Sequence, residues 1–174
     1  MRKIICLLLC CFFALNLTAY SFDFVTPQEK VSCNSWEFRN CTLVINDEIG
    51  ILTDDEEAKM VETLTPYCNE ARFNVMIRTH NKILSPYREN EVEDMSSYFE
   101  ENRDWTSVGW SSMGSSYSIT YGGNSVGRAC SGQSFDGALK SGDEYLGEKD
   151  YETALSLITG NVMDIIIHNW TLAD

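Results

Sequence analysis

Four acidic side chains that can bind a cation crowd into one short stretch of this sequence: Asp47, Glu48, Asp54 and Asp55. Sites built only from oxygen ligands suit calcium or magnesium. The alternative is structural, because acidic residues at the start of a helix complement the partial positive charge of its first turn. A tight calcium site uses six to eight converging oxygens, so we expect only weak calcium binding here, in about the millimolar range.

Catalysis by serine, cysteine or histidine side chains has little support. The segment Gly109–Gly114 contains two serines but lacks the G-x-S-x-G spacing of a hydrolase nucleophile. His80 and His168 are the only histidines, and no catalytic motif surrounds either of them. The absence of a C-x-x-C pair disfavours a zinc site. The sequence therefore predicts no catalytic residue and no certain cofactor.

The beginning of the chain has the pattern of a secretory signal peptide. Two basic residues precede the apolar run Ile4–Leu15, and Ala19-Tyr20-Ser21 supplies the small residues that cleavage requires. The run is shorter than the roughly 20 residues that span a bilayer, which disfavours an uncleaved membrane anchor. We therefore expect residues 1–21 to be removed. The mature chain, from Phe22 onward, is then predicted to be secreted and to have no membrane span.

The charge of the chain restricts its partners. The net charge of the 174 residues is -13, and removing the two basic residues of the signal peptide makes it about −15. Nucleic-acid binding is disfavoured, because its affinity comes from Lys and Arg side chains that neutralise phosphates. Cations or basic protein surfaces are better partners for an acidic chain. The alternative is that the acidity serves solubility alone.

Four cysteines remain after the predicted signal peptide, Cys33, Cys41, Cys68 and Cys130. An even number of cysteines in an oxidising compartment predicts two disulfides, and four cysteines allow three ways of pairing. We prefer Cys33–Cys41, which closes a short loop before the domain, together with Cys68–Cys130, which joins the first helix to a strand.

Three aromatic residues, Trp105, Trp110 and Tyr117, lie close together in the sequence. Tryptophan and tyrosine are common anchors at protein interfaces, so these residues are candidates for an exposed rim that binds a partner. The alternative is that they cap the core beneath a long loop.

Two tripeptides, Asn40-Cys-Thr and Asn169-Trp-Thr, fit the N-glycosylation sequon. They predict a glycoprotein if the source is eukaryotic.

The elements that would position these residues follow from periodicity. Thr53 and Glu56 form the pattern of a capping box, which predicts that the first helix begins there. Pro66 is expected to kink or end that helix. A second amphipathic helix is expected around Val92, Met95, Tyr98 and Phe99, a short helix at 135–139 and a long helix at 148–169. Strands are predicted at 43–45, 73–79, 117–121 and 126–130, with a loop at 104–116.

The predicted order is β-α-β-α-β-β-α-α. It indicates an α/β domain with a small mixed sheet of about four strands flanked by helices. Residues 22–42 are expected to form an irregular, cysteine-bearing lead, and residues 43–170 the domain itself.

This order and several short motifs resemble the TPM domain family over roughly Leu43–His168. Asn46-Asp47 with Gly50, Leu52 and Thr53 is similar to the family's V-x-D-x-x-G-x-L-[ST] opening. Lys149–Leu155 is similar to the gdY-x-x-A-L start of its last helix. The cysteines also resemble those of an extracellular animal subgroup typified by the modulator of levamisole receptor.

The resemblance implies two functions. The first, which we prefer, is a secreted, non-enzymatic module that binds a protein partner such as the ectodomain of a membrane receptor. Other members of the family resemble acid phosphatases or bind calcium, so the alternative is a metal-dependent phosphatase. The resemblance places Asp47, and less closely Asp136, at acidic positions that would bind the metal.

Overall fold

The computed structural model describes residues 32–81, 98–99 and 104–173. The predicted signal peptide, and all of the predicted second amphipathic helix except Tyr98 and Phe99, lie outside these described residues. Within them no helix combines the length and apolar character that crossing a membrane requires.

In the described part of the chain, five strands form one mixed sheet in the order β1-β2-β3-β4-β5. The central strands β2, β3 and β4 are parallel, and β1 and β5 are antiparallel to their neighbours at the two edges. The bounds are β1 Ser32–Glu37, β2 Thr42–Asp47, β3 Asn74–His80, β4 Trp105–Ser111 and β5 Ser116–Gly122. The predicted α/β class with a small mixed sheet is confirmed, with one strand more than expected.

Five helices are described, and four of them pack around the last and longest. The bounds are α1 Asp54–Glu70, α2 Asn124–Cys130, α3 Asp136–Lys140, α4 Asp143–Gly147 and α5 Tyr151–Ala173. The short helix expected at 135–139 and the long helix expected at 148–169 are both present, with slightly shifted ends.

The start of α1 is the predicted capping box. The Glu56 amide donates to the Thr53 hydroxyl at 3.2 Å, and the Thr53 amide donates to the Glu56 carboxylate at 2.7 Å. The helix does not end at Pro66, because α1 continues through Pro66 to Glu70, and the alternative of a kink there stays a prediction. Proline removes the donor that would pair with the Glu62 carbonyl. Both residues are exposed, so water can hydrate that carbonyl and the helix tolerates the loss.

The sheet is covered on both faces. Side chains alternate along each strand, so Leu43, Ile45 and Ile77 face the helices while Val44 and Met76 face the opposite side. On that opposite side Val44 and Met76 pack with Phe99 and Trp105. Burial on both faces is typical of parallel central strands.

The interface between α1 and α5 combines close packing with an ion pair. A Cβ added at Gly160 would lie 3.2 Å from the Tyr67 ring, so glycine lets the two helices approach closely at that point. The Lys59 ammonium pairs with the carboxylate of Glu152, a residue that is almost completely buried. That carboxylate raises the pKa of Lys59.

The predictions for two segments next to the sheet are wrong. Residues 32–37, expected to be irregular, form β1 because they pair with β2 in a hairpin. Most of the loop expected at 104–116 is β4, and only residues 112–115 form a turn. Although β4 is rich in serine and glycine, pairing with strands on both sides decides its conformation.

The strand expected at 126–130 is instead the helix α2. Asp104, just before β4, accepts hydrogen bonds from the amides of Ser125 at 2.8 Å and Val126 at 3.1 Å. These two amides lie in the first turn of α2 and have no acceptor within the helix. The carboxylate of Asp104, a residue distant in the sequence, therefore caps the helix. Gly123 precedes the helix with a φ of 90°.

Replacing Gly123 by alanine is expected to lower the free energy of unfolding by about 1–3 kcal/mol, because the backbone there is left-handed. The added Cβ would also lie 2.6 Å from the Cα of Asp104. The matched control is Gly127→Ala within α2, where a Cβ meets nothing within 4 Å. That change should stabilise the protein slightly, since alanine is the better helix former. Urea unfolding of both variants measures the difference, and equal effects would contradict the role of Gly123.

Candidate functional site

Asp47 lies at the carboxyl end of β2, the edge of a parallel sheet where ligands commonly bind. Its side chain is completely buried. One carboxylate oxygen accepts a hydrogen bond from the Leu52 amide at 2.8 Å, and the other accepts one from the Thr79 hydroxyl. The carboxylate therefore joins the turn before α1 to the end of β3, and both of its oxygens are engaged by the fold.

The other three acidic residues of the predicted cluster point elsewhere. Asp54 and Asp55 are exposed in the first turn of α1. Glu48 accepts a hydrogen bond from Nε of Arg78 at 2.6 Å. Within the described part of the chain, no group of three or more acidic, histidine or cysteine side chains is placed to hold a metal ion. The structure therefore separates the side chains that the sequence places close together.

Asp136, the second predicted metal position, is the first residue of the short helix α3. Its side chain is exposed, and its amide donates to the Ser134 hydroxyl at 3.3 Å. Helix α3 packs on α5, whereas Asp47 lies at the end of β2. Asp136 therefore lies in the helical layer, whereas Asp47 lies at the end of a strand.

The expected aromatic rim is not exposed. Trp105 and Trp110 are only 7% and 6% accessible, because both belong to the central strand β4. Trp110 packs against Tyr151 with ring centroids 4.9 Å apart, and Trp105 lies on the opposite face of the sheet. Tyr117 is half-buried, with its hydroxyl bonded to the Asp143 carboxylate. The tryptophans belong to the core, in line with the alternative, but they lie in a strand and not beneath a long loop.

A polar cluster that the sequence did not reveal lies on the face of the sheet away from the helices. Glu48 pairs with Arg78, and the Asn46 amide lies 3.4 Å from both the Glu48 carboxylate and the Tyr98 hydroxyl. The pKa of Tyr98 is raised, mainly by its partial burial and to a smaller extent by the neighbouring Cys33. The alternation along β3 placed Arg78 on this face, but nothing in the sequence indicated its partners.

The four cysteines are thiols in this structure, and it places Cys33 far from Cys41, its predicted partner. Cys33 is exposed on β1 opposite Asn46, at the far end of β2 from Cys41. Cys68 is hydrogen-bonded to Cys41 and not to Cys130. Cys130 is buried in α2, and that burial raises its pKa to about 11. The structure therefore does not bring Cys33 and Cys41 together, and the pairing of Cys68 with Cys130 stays a prediction.

The two predicted glycosylation sites differ in accessibility. Asn40 is exposed in the bend between β1 and β2. Asn169 lies in α5, half-buried, with its side-chain amide donating to the Ile165 carbonyl at 2.8 Å. Asn40 is therefore the better placed of the two for modification.

Comparison of the chain with protein-family models, with curated proteins and with solved structures gives no match. A function is therefore inferred from the positions of the chain's own side chains, together with the motifs that resemble the TPM family.

Proposed function

We propose that this chain is an exported, non-enzymatic interaction domain of the TPM type, which binds the basic surface of a protein partner through acidic side chains on its helical layer. The family resemblance suggests the ectodomain of a membrane receptor as that partner. The proposal depends on where the acidic residues lie and on what each of them does for the fold.

The observation that carries the proposal is the distribution of acidic residues along α1. Asp54 and Asp55 lie in its first turn, where negative charge stabilises a helix. Glu62 is in the middle of the helix and Glu70 is its last residue, both exposed. Negative charge at the carboxyl end of a helix is unfavourable, and the last turn of α1 has no basic residue. Folding alone therefore does not account for the acidic residues beyond the first turn.

The single lysine of α1 does not balance this charge. Lys59 is paired with Glu152 of α5, so its charge is already matched by a buried carboxylate. Three further exposed acidic residues of α1 are not balanced by this lysine, and we call them the α1 acidic face: Asp55, Glu62 and Glu70. A face of one sign steers association with a surface of the opposite sign.

The position of Asp47 supports the non-enzymatic proposal over the phosphatase. A metal-dependent phosphatase would use this carboxylate as a ligand, which requires oxygens that face a cleft and other carboxylates around them. Both Asp47 oxygens instead accept hydrogen bonds from the fold, and the neighbouring acidic residues diverge.

The test uses the full secreted chain and two double variants that each remove two negative charges. Glu62→Gln with Glu70→Gln neutralises part of the α1 acidic face. The control, Glu148→Gln with Asp164→Asn, removes the same charge from exposed positions outside α1. Cross-linking on intact cells identifies a partner, whose purified ectodomain is then titrated with each protein. We expect roughly tenfold weaker binding for the α1 variant, corresponding to about 1.4 kcal/mol, and little change for the control.

Salt provides a second measurement of the same proposal. Raising the ionic strength should weaken binding of the unmodified chain more than binding of the α1 variant, because exposed charges are screened. Equal affinity and equal salt dependence for the two variants would overturn the acidic face as the binding surface. Hydrolysis of phosphomonoesters that Asp47→Asn abolishes would replace the proposal with the enzymatic alternative.

A further inference from the structure

Two buried cysteines meet where the first helix returns to the sheet. Cys41 immediately precedes β2, and Cys68 lies in the last turn of α1. Because α1 connects the parallel strands β2 and β3, it runs back along the sheet and brings its end to the start of β2. The two side chains are hydrogen-bonded to each other, with accessibilities of 2% and 0%.

Cys33 is too far from this pair to compete. Cys33 lies opposite Asn46, which is five positions along β2 from Cys41, or about 17 Å at the rise of an extended strand. Disulfides need Cα atoms about 4.4–6.8 Å apart. Cys33 also faces the opposite side of the sheet, near Tyr98. Cys130 lies in α2, which packs on β5 and α5, whereas Cys33 lies on β1 at the other edge of the sheet.

We propose that Cys41 and Cys68 form an intramolecular disulfide when the chain folds in an oxidising environment, and that this bond fastens the carboxyl end of α1 to the start of β2. Cys33 and Cys130 do not pair within the chain.

The reaction is thiol–disulfide exchange with a disulfide donor, RSSR. Either thiol can react first, because exchange precedes the packing of α1 on the sheet. If Cys68 reacts first, its thiolate attacks one sulfur of the donor, and the first RS⁻ leaves and takes up the proton that Cys68 has lost. Cys41 then loses its proton and attacks the Cys68 sulfur, releasing the second RSH. The two protein thiols are oxidised by two electrons, and one donor disulfide is reduced to two thiols.

The burial of Cys41 and Cys68 determines the stage of folding at which the disulfide can form. Neither side chain is accessible once α1 is packed, so exchange precedes the closing of α1 on the sheet. The finished bond is then shielded from reductants by the same burial.

Trypsin places the four cysteines in four separate peptides, which makes the pairing directly measurable. The cysteine peptides are 31–39, 40–59, 60–72 and 129–140, cut after Lys30, Arg39, Lys59, Arg72, Arg128 and Lys140. The full chain is folded in a buffer of oxidised and reduced glutathione, alkylated without reduction, deglycosylated and digested. We expect 40–59 to be linked to 60–72, with the mass of the two peptides less two hydrogens, and 31–39 and 129–140 to be unlinked to any other peptide of the chain.

Any other pairing within the chain would overturn the proposal. So would recovery of 40–59 and 60–72 as separate alkylated peptides.

A melting experiment tests the bond through its effect on stability. A reductant should lower the melting temperature of the oxidised chain by roughly 5–15 °C. Cys33→Ala should keep that sensitivity, because its thiol is exposed and distant. The double variant Cys41→Ala with Cys68→Ala should lose it. Equal sensitivity in the double variant would contradict the proposal. If the double variant fails to fold, the peptide map of the unmodified chain still decides.

Discussion

Replacing Asp47 by alanine is expected to lower the free energy of unfolding by about 3 kcal/mol. The change removes a buried carboxylate that accepts hydrogen bonds from the Leu52 amide and the Thr79 hydroxyl. Hydrogen bonds to charged groups contribute roughly 1.5–3 kcal/mol each, and donors left unpaired in the interior add a desolvation cost. Without these two hydrogen bonds, the turn before α1 should no longer be held against the end of β3. Urea unfolding followed by circular dichroism measures the loss of stability.

Two further variants separate the hydrogen bonds from the charge. Asp47→Asn keeps one acceptor oxygen for the Leu52 amide, and the Thr79 hydroxyl can rotate to accept from the new amide group, so its cost should be intermediate. Asp55→Asn makes the same chemical change at an exposed position in the first turn of α1 and should cost less than about 1 kcal/mol. Asp47→Ala and Asp55→Asn with the same unfolding free energy would show that Asp47 does not support the fold.

The result for Asp47 also bears on why an acidic residue occupies this position. A carboxylate that costs several kcal/mol to remove has a structural role, even though the family resemblance marks it as a metal ligand. The motif that surrounds it includes Leu52 and Thr53, and the Leu52 amide is one of its two donors. The spacing that resembles the family opening is thus also the spacing that closes this turn.

The parts of the fold with strong local signals could be predicted from the sequence. Thr53 and Glu56 mark the start of α1 because both capping bonds lie within three residues of each other. The alternation of Val75, Ile77 and Thr79 marks β3, whose remaining side chains face the other side of the sheet. Helix α5 has apolar residues at helical spacing that meet one core.

The parts that depend on distant residues could not be predicted. Nothing within β4 indicates a central strand, because its serines and Gly109 are accommodated by neighbouring strands. A Cβ at Gly109 would lie 2.9 Å from the hydroxyl oxygen of Ser118, so the small residue fits a close approach between strands. Helix α2 is capped by Asp104, about twenty residues earlier in the chain. Its sequence alone resembles the returning strand of a hairpin.

The arrangement of the candidate site could not be predicted either, because it also depends on residues that are distant in the sequence. Clustering in the sequence suggested that Asp47, Asp54 and Asp55 act together, but a strand end and a helix start direct their side chains apart. The proximity of Cys41 and Cys68 depends on the length and direction of α1, which spacing between cysteines does not reveal. The ion pair between Arg78 and Glu48 depends on the parallel register of β2 and β3.

Replacing Leu155 by alanine should lower the free energy of unfolding by about 2–5 kcal/mol, the range observed when a buried leucine is truncated in a packed core. Leu155 is completely buried in α5, which contacts all of the other described helices. Its side chain belongs to the cluster that also contains Leu64 of α1 and Val126 of α2. A cavity at this point therefore weakens several contacts at once, and neighbouring elements held by the same cluster have little freedom to close it.

Leu157, two residues further along α5, provides the matched control. It is 37% accessible, so Leu157→Ala changes the same atoms in the same helix while opening no enclosed cavity. Alanine has a higher helix propensity than leucine, and both substitutions replace leucine by alanine in the same helix. The effect of helix propensity on stability therefore cancels when the two variants are compared. We expect Leu157→Ala to stay within about 0.5 kcal/mol of the unmodified chain. Equal destabilisation by the two variants in urea unfolding would mean that α5 presents a different face to the sheet. In that event Val162 and Ile166, which share the buried face with Leu155, would also be wrongly placed.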